Sequence, residues 1–230
     1  MNYAKIVLFI TFHIICIATN GQHDIGIKLA GGWSKISTIL NSPQLIQEFK
    51  FMPSYQGGLS YNFHFKNKSI IGAELLFSKI EGKEHSEQSA TDQYGNPTGQ
   101  LITNDNSRHI SYLSIPIYYG FNYKKLAVNI GMQSSFVISS NDLTTSSASD
   151  NNGNTLYFES KSDKLPIKNF DFGARAGVAI LFNTRWMFEA NYYYGLLNIY
   201  ESNTSNWKWS VQQITIGVKY NIISSTETKN

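Results

Sequence analysis

Few residues of this 230-residue chain have types and spacing suited to chemistry. His85 beside Ser86, and Ser107 near His109, could in principle pair on one rim for lipid or peptide hydrolysis, since a hydroxyl becomes a nucleophile when a base within hydrogen-bond reach takes its proton. No Gly-x-Ser-x-Gly elbow, His-Glu-x-x-His pair or phosphate-binding glycine loop accompanies them. The segment Asp150-Asn-Asn-Gly-Asn154 lacks the glycine at position six and the closing glutamate of a calcium loop. The single cysteine, Cys16, sits in the N-terminal apolar segment, so the rest of the chain has no thiol nucleophile, disulfide or cysteine metal site. No catalytic, cofactor-binding or metal residue is expected, and the protein reads as a non-enzyme.

The remaining charged candidates are Lys28, Glu74, Asp171, Arg175, Glu189 and Lys219, with His64 beside them in pattern. Each falls on the polar parity of a stretch whose other parity is apolar. Phe170, Phe172, Ala174, Ala176, Val178, Ile180 and Phe182 alternate with Asp171, Gly173, Arg175, Gly177 and Ala179. After Asn183 and Thr184, Trp186, Phe188, Ala190, Tyr192, Tyr194 and Leu196 alternate with Glu189, Asn191, Tyr193 and Gly195. A period of two means strands with two unlike faces, here each long enough to cross a bilayer at a tilt, roughly 9–11 residues.

The same test finds eight such strands: around Ile25–Trp33, Tyr55–Phe65, Ile71–Phe77, Leu113–Phe121, Leu126–Ile138, the two just described, and Ile214–Ile222. Connections alternate in length. Lys66–Lys68, Asn122–Lys125 and Asn183–Arg185 are short; Ile36–Met52, Gly82–Asn106, Ser139–Ile167 and Glu201–Lys208 are long. That sorting predicts an all-β fold, an eight-stranded antiparallel up-and-down transmembrane β-barrel with short periplasmic turns and long extracellular loops. The loop from Ser139 to Asn154 is low in complexity and expected to be mobile, although Leu101–Thr103 and Thr155–Ser160 alternate again and could continue strands outward as hairpins.

In a barrel of eight strands the lumen is only wide enough for side chains. Lys28, Glu74, Asp171, Arg175, Glu189 and Lys219 are therefore expected to form an internal ion-pair network, because an isolated buried charge costs several kcal/mol. Trp33, Tyr55, Tyr119, Phe121, Phe170, Trp186, Trp209 and Tyr220, near strand ends, are expected to form aromatic girdles at the two interfaces.

The balance of 19 basic against 16 acidic residues gives no nucleic-acid footprint. Lys5 followed by the apolar run from Ile6 to Ile17 reads as a secretory signal, with Thr19 and Gly21 suiting the cleavage site. The expected organisation is a signal peptide at 1–21, the barrel at 22–223 and a tail at 224–230.

Tyr112-Leu-Ser-Ile-Pro-Ile117 resembles the Tyr-Leu-x-Ile-Pro-Leu motif of the PorT-like outer-membrane β-barrel family, and Asp171-Phe-Gly-Ala-Arg-Ala-Gly177 with Tyr193-Tyr-Gly-Leu-Leu-Asn-Ile199 resembles two further segments of it. The resemblance implies an outer-membrane location in a Gram-negative envelope and, as for the family's namesake, an accessory part in type IX protein secretion. The sequence itself supports a structural or binding role through the outer loops, with a small porin or a rim hydrolase as alternatives. Outer-membrane lipid is the expected partner, other envelope or secretion proteins are further candidates, and the barrel is expected to be a monomer.

Overall fold

A computed structural model describes residues 22–40, 45–65, 67–91, 94, 97–149, 155–201 and 207–224. The expected signal peptide, the Asp150–Asn154 segment and all of the expected tail except Ser224 lie outside them. Nine strands run in order: β1 (Gln22–Leu40), β2 (Leu45–His64), β3 (Ser69–Thr91), β4 (Pro97–Tyr123), β5 (Leu126–Ser149), β6 (Thr155–Ser162), β7 (Phe170–Leu181), β8 (Trp186–Gly195) and β9 (Trp207–Ser224). Every pairing is antiparallel; β1 meets β9 and β4 meets β5, so β1 to β5 and β7 to β9 close into a ring of eight. β6 stands outside the ring, paired with the distal half of β5.

Closure leaves no edge within the bilayer, where an unpaired backbone group costs several kcal/mol. The turns at one end are tight for local reasons. Asn183 Oδ1 accepts from the amides of Arg185 at 2.9 Å and Trp186 at 2.8 Å, while Lys68 and Lys124 take up positive φ values of 71° and 55° in the other two turns.

The alternation fixes two faces. Leu29, Ile117, Ile130, Ile180, Phe182 and Ile216 are all exposed on the outside, whereas Lys28, Glu74, Arg175, Asn191, Thr215 and Lys219 are buried inside. An apolar exterior of this extent is what a membrane covers. The core is the lumen.

The strands are longer than the apolar alternation predicts, and this corrects the expected loops. β3 and β4 stay paired out to Ser89 and Leu101 and, past a register shift, to Thr91 and Pro97, and Ser139–Ser149, expected as a mobile loop, is strand paired with β4 throughout. Polar cross-strand bonds hold it: Thr144 Oγ1 donates to Asn106 Oδ1 at 2.7 Å and Ser146 Oγ to Asn104 Oδ1 at 2.6 Å. With water on both faces such a strand has no apolar parity to reveal it. The distal parts of β2, β3, β4 and β5, together with β6, thus form one sheet that rises beyond the barrel.

Candidate functional site

The lumen is layered. In its middle, Glu74 from β3 accepts from Lys28 Nζ of β1 at 3.1 Å and from Arg175 Nη1 of β7 at 2.8 Å, both on the same carboxylate oxygen. Lys28 also pairs with Glu189 of β8. Arg175 Nη2 donates to Asn191 at 3.0 Å, and Asn191 in turn to Glu189 at 3.3 Å. Lys219 of β9 lies within 3.5 Å of the Tyr118 hydroxyl. Since an ammonium can only donate, Asn62 turns its oxygen to Lys219 Nζ at 2.9 Å and its amide nitrogen to Tyr118 at 2.7 Å. Three buried cations therefore face two buried carboxylates, with the polar groups of Asn62, Tyr118 and Asn191 between them.

Asp171 stands apart from this cluster. It accepts from the Tyr193 hydroxyl at 2.8 Å and from the Phe172 amide at 2.8 Å, one layer further out. At the periplasmic end Asp24 contacts His64 Nε2 at 2.7 Å, beside a small apolar cluster of Ala127, Ala179 and Met187.

The outer end is closed differently, by apolar inward residues rather than by ion pairs. Ile36, Ile80, Ile110, Tyr112, Tyr193, Trp209 and Val211 form an apolar layer completed by Leu165, Ile167 and Ile199 from two connections. Those connections brace one another across the mouth, with Lys168 N donating to Ile199 O at 2.7 Å and Glu201 N to Pro166 O at 2.8 Å, and Ile199 N ties them to Trp209 O of β9 at 3.1 Å. Above them Arg108 pairs with Glu84, which also accepts from Thr38 at 3.1 Å and Gln47 at 3.0 Å. The Arg108 guanidinium carbon lies 4.0 Å over the Trp209 ring.

Trp209 corrects the expected girdle. It is only 4% exposed and faces the lumen, because it shares the odd parity of Gln213, Thr215 and Lys219 on β9. The signal was available: continuing that parity outward from Gln213 places it inside, just as continuing from Tyr112 places Arg108 there. Trp33, Tyr55, Tyr119, Phe121, Phe170 and Trp186 are exposed on the outer wall, and Tyr220 packs against Trp186 with ring centroids 4.8 Å apart.

Both rim histidines lie beside carboxylates. His85 Nδ1 and Nε2 lie 3.0 Å from Asp105 and 3.3 Å from Glu87, hydrogen bonds that raise its pKa, while His109 Nδ1 is 3.2 Å from Glu81. Ser86 is buried on the opposite face of β3 from His85, and among the described residues neither Ser86 nor Ser107 bonds to a histidine. No group of three or more His, Cys, Asp or Glu among the described residues is arranged to hold a metal.

A closed antiparallel ring with an apolar wall and a charged interior defines an outer-membrane β-barrel protein. The chain belongs to the outer membrane protein beta-barrel domain family, whose model matches residues 18–201, and its place is the outer membrane. No curated protein matches it. Among solved structures it is similar to Neisserial surface protein A (12% identity, 86% of this chain and 97% of that one, TM-score 0.40) and to OprG from Pseudomonas aeruginosa (12% identity, 87% and 95%, TM-score 0.39). It is also similar to Ail, the attachment invasion locus protein of Yersinia pestis (13% identity, 87% and 99%, TM-score 0.33).

Proposed function

We propose that this barrel is a sealed, non-enzymatic platform whose projecting sheet binds a partner outside the cell. The observation that carries the reading is the contrast between a lumen filled from its ionic middle to its apolar mouth and a sheet that continues outward through β6. β6 is the last strand of the sheet and pairs only with β5 among the described residues. Leu156, Tyr157 and Phe158, three consecutive side chains and therefore both faces of the strand, are exposed there. An open edge with apolar side chains suits an extended peptide segment, which would gain main-chain hydrogen bonds and shallow side-chain contacts together.

The non-enzymatic part is supported by the two carboxylates on His85 and by the burial of Ser86 away from it. The PorT-like resemblance of Tyr112–Ile117 supports an envelope protein as the partner, a component of type IX export being the particular candidate. A photo-crosslinking side chain at position 157 on intact cells should capture a protein or glycoconjugate, and one at lipid-facing position 130 should capture lipid alone. No adduct at 157, combined with solute flux through the reconstituted barrel, would replace this reading with transport.

A further inference from the structure

The outer wall is not uniform. On β1, β2, β3 and β9 an open groove of about 520 Å³ is lined by Leu29, Gly31, Tyr55, Gly57, Phe77 and Ile216. Two kinds of glycine meet in this region. Gly32 and Gly58 face inward, and a side chain there would lie 1.9 Å from the Ile214 carbonyl and 2.0 Å from the Leu75 carbonyl, so the fold itself demands them. Gly31 and Gly57 face the lipid. A Cβ on Gly31 would meet only the Ser54 carbonyl at 3.9 Å, and one on Gly57 chiefly the movable end of Leu29 at 2.9 Å. Neither has positive φ, so backbone geometry does not explain Gly31; its missing side chain hollows the wall.

Cations crown the groove on the outward side. Four residues up β1 from Gly31, roughly 13 Å along the strand, Lys35 Nζ lies 5.1 Å from the centre of the Phe51 ring and has no carboxylate partner among the described residues. Lys79, whose Nζ is 6.0 Å from the ring of the groove residue Tyr55, is held by Glu81 at 3.0 Å. Further out, Lys50 and Lys83 are direct cross-strand partners, an arrangement that like charges destabilise unless an anion lies between them. An apolar trough below the interface with unneutralised lysines above it matches one amphiphile, an acyl chain carrying phosphate.

We infer that this groove is a binding site for one acyl chain of a phosphate-bearing lipid of the outward leaflet, its phosphate held by Lys35 and the Lys50–Lys83 pair. The probe is lipid A, with and without its phosphates, added to the purified full barrel in detergent and counted by native mass spectrometry. The protein should retain lipid A and favour it over the dephosphorylated form by roughly tenfold or more, the scale of a few lysines at an anionic surface. Gly31→Leu should fill the groove and abolish retention while leaving heat-modifiable gel migration intact. Lys35→Glu with Lys50→Glu should remove the preference for phosphate, and Val178→Leu on another wall should alter nothing. Equal retention of both forms by the unmodified protein would reduce the site to ordinary boundary lipid and overturn the inference. Undiminished retention by Gly31→Leu would overturn it too, as would a dimer that Gly31→Leu dissolves, which would give the groove to a second copy of the chain.

Discussion

The phenol ring of Tyr118 on β4 covers Gly72 on β3. The two are direct cross-strand partners, and a Cβ on Gly72 would lie 2.2 Å from the Tyr118 ring carbon Cζ. The glycine lets the ring lie flat against the lumen wall, so that its hydroxyl reaches Asn62 and Lys219 while Arg175 sits 5.8 Å from its centre. An aromatic ring shielding a facing glycine is a recognised way to pin strand register.

Gly72→Ala should therefore force the ring away and lower stability by about 1–3 kcal/mol, the scale of overpacking. Urea unfolding in lipid vesicles measures it. In a Tyr118→Ala background the same substitution should cost much less; an equal cost in both would separate the glycine from the ring.

Arg175→Met should destabilise the barrel by about 3 kcal/mol, the lower end of the roughly 3–5 kcal/mol seen on breaking buried ion pairs. Lys28 remains on the same Glu74 oxygen and limits the loss. Val178→Leu, on the exposed wall, should leave the unfolding midpoint unchanged. A neutral Arg175→Met would mean that Glu74 is held by Lys28 alone.

Trp209→Ala should cost about 3–5 kcal/mol through the cavity it leaves and should free Arg108 from its ring contact. Unfolding midpoints would register the loss, and tryptophan emission should lose its most water-shielded component. A girdle tryptophan such as Trp33, 52% exposed, should give a smaller loss in both.

The barrel could be read from the sequence because its strands separate lipid from lumen, and Phe170–Val178 shows that contrast at every step. Lys28, Glu74, Arg175, Glu189 and Lys219 were placed by the same parity. Thr144 and Ser146 were not legible as strand because both their faces meet water, and Leu165 and Ile199 were not because they reach the lumen from connections that have no period. Trp209 carries the parity of the lumen face, but its aromatic type and its place near a strand end also fit the girdle.

His85 links the projecting strands through Asp105 of β4, and its pKa is raised by hydrogen bonds first to Asp105 and then to Glu87. A raised histidine pKa gives a stabilising contribution that is complete below the unfolded value of about 6.5 and lost as pH climbs through the folded one. Hydrogen exchange of the distal β3–β4 amides should accordingly rise with pH through this window beyond the intrinsic increase. In His85→Gln that excess should vanish; its persistence would assign it to another group.

Planar-bilayer recording of the purified protein tests the sealed lumen most directly. The unmodified barrel should show no steady conductance, and a combined Arg175→Ala and Trp209→Ala variant that still migrates as a folded barrel should show measurable leak, because it opens the ionic middle and the apolar mouth together. A stable, large open channel in the unmodified protein would contradict the sealed lumen and make the protein a porin.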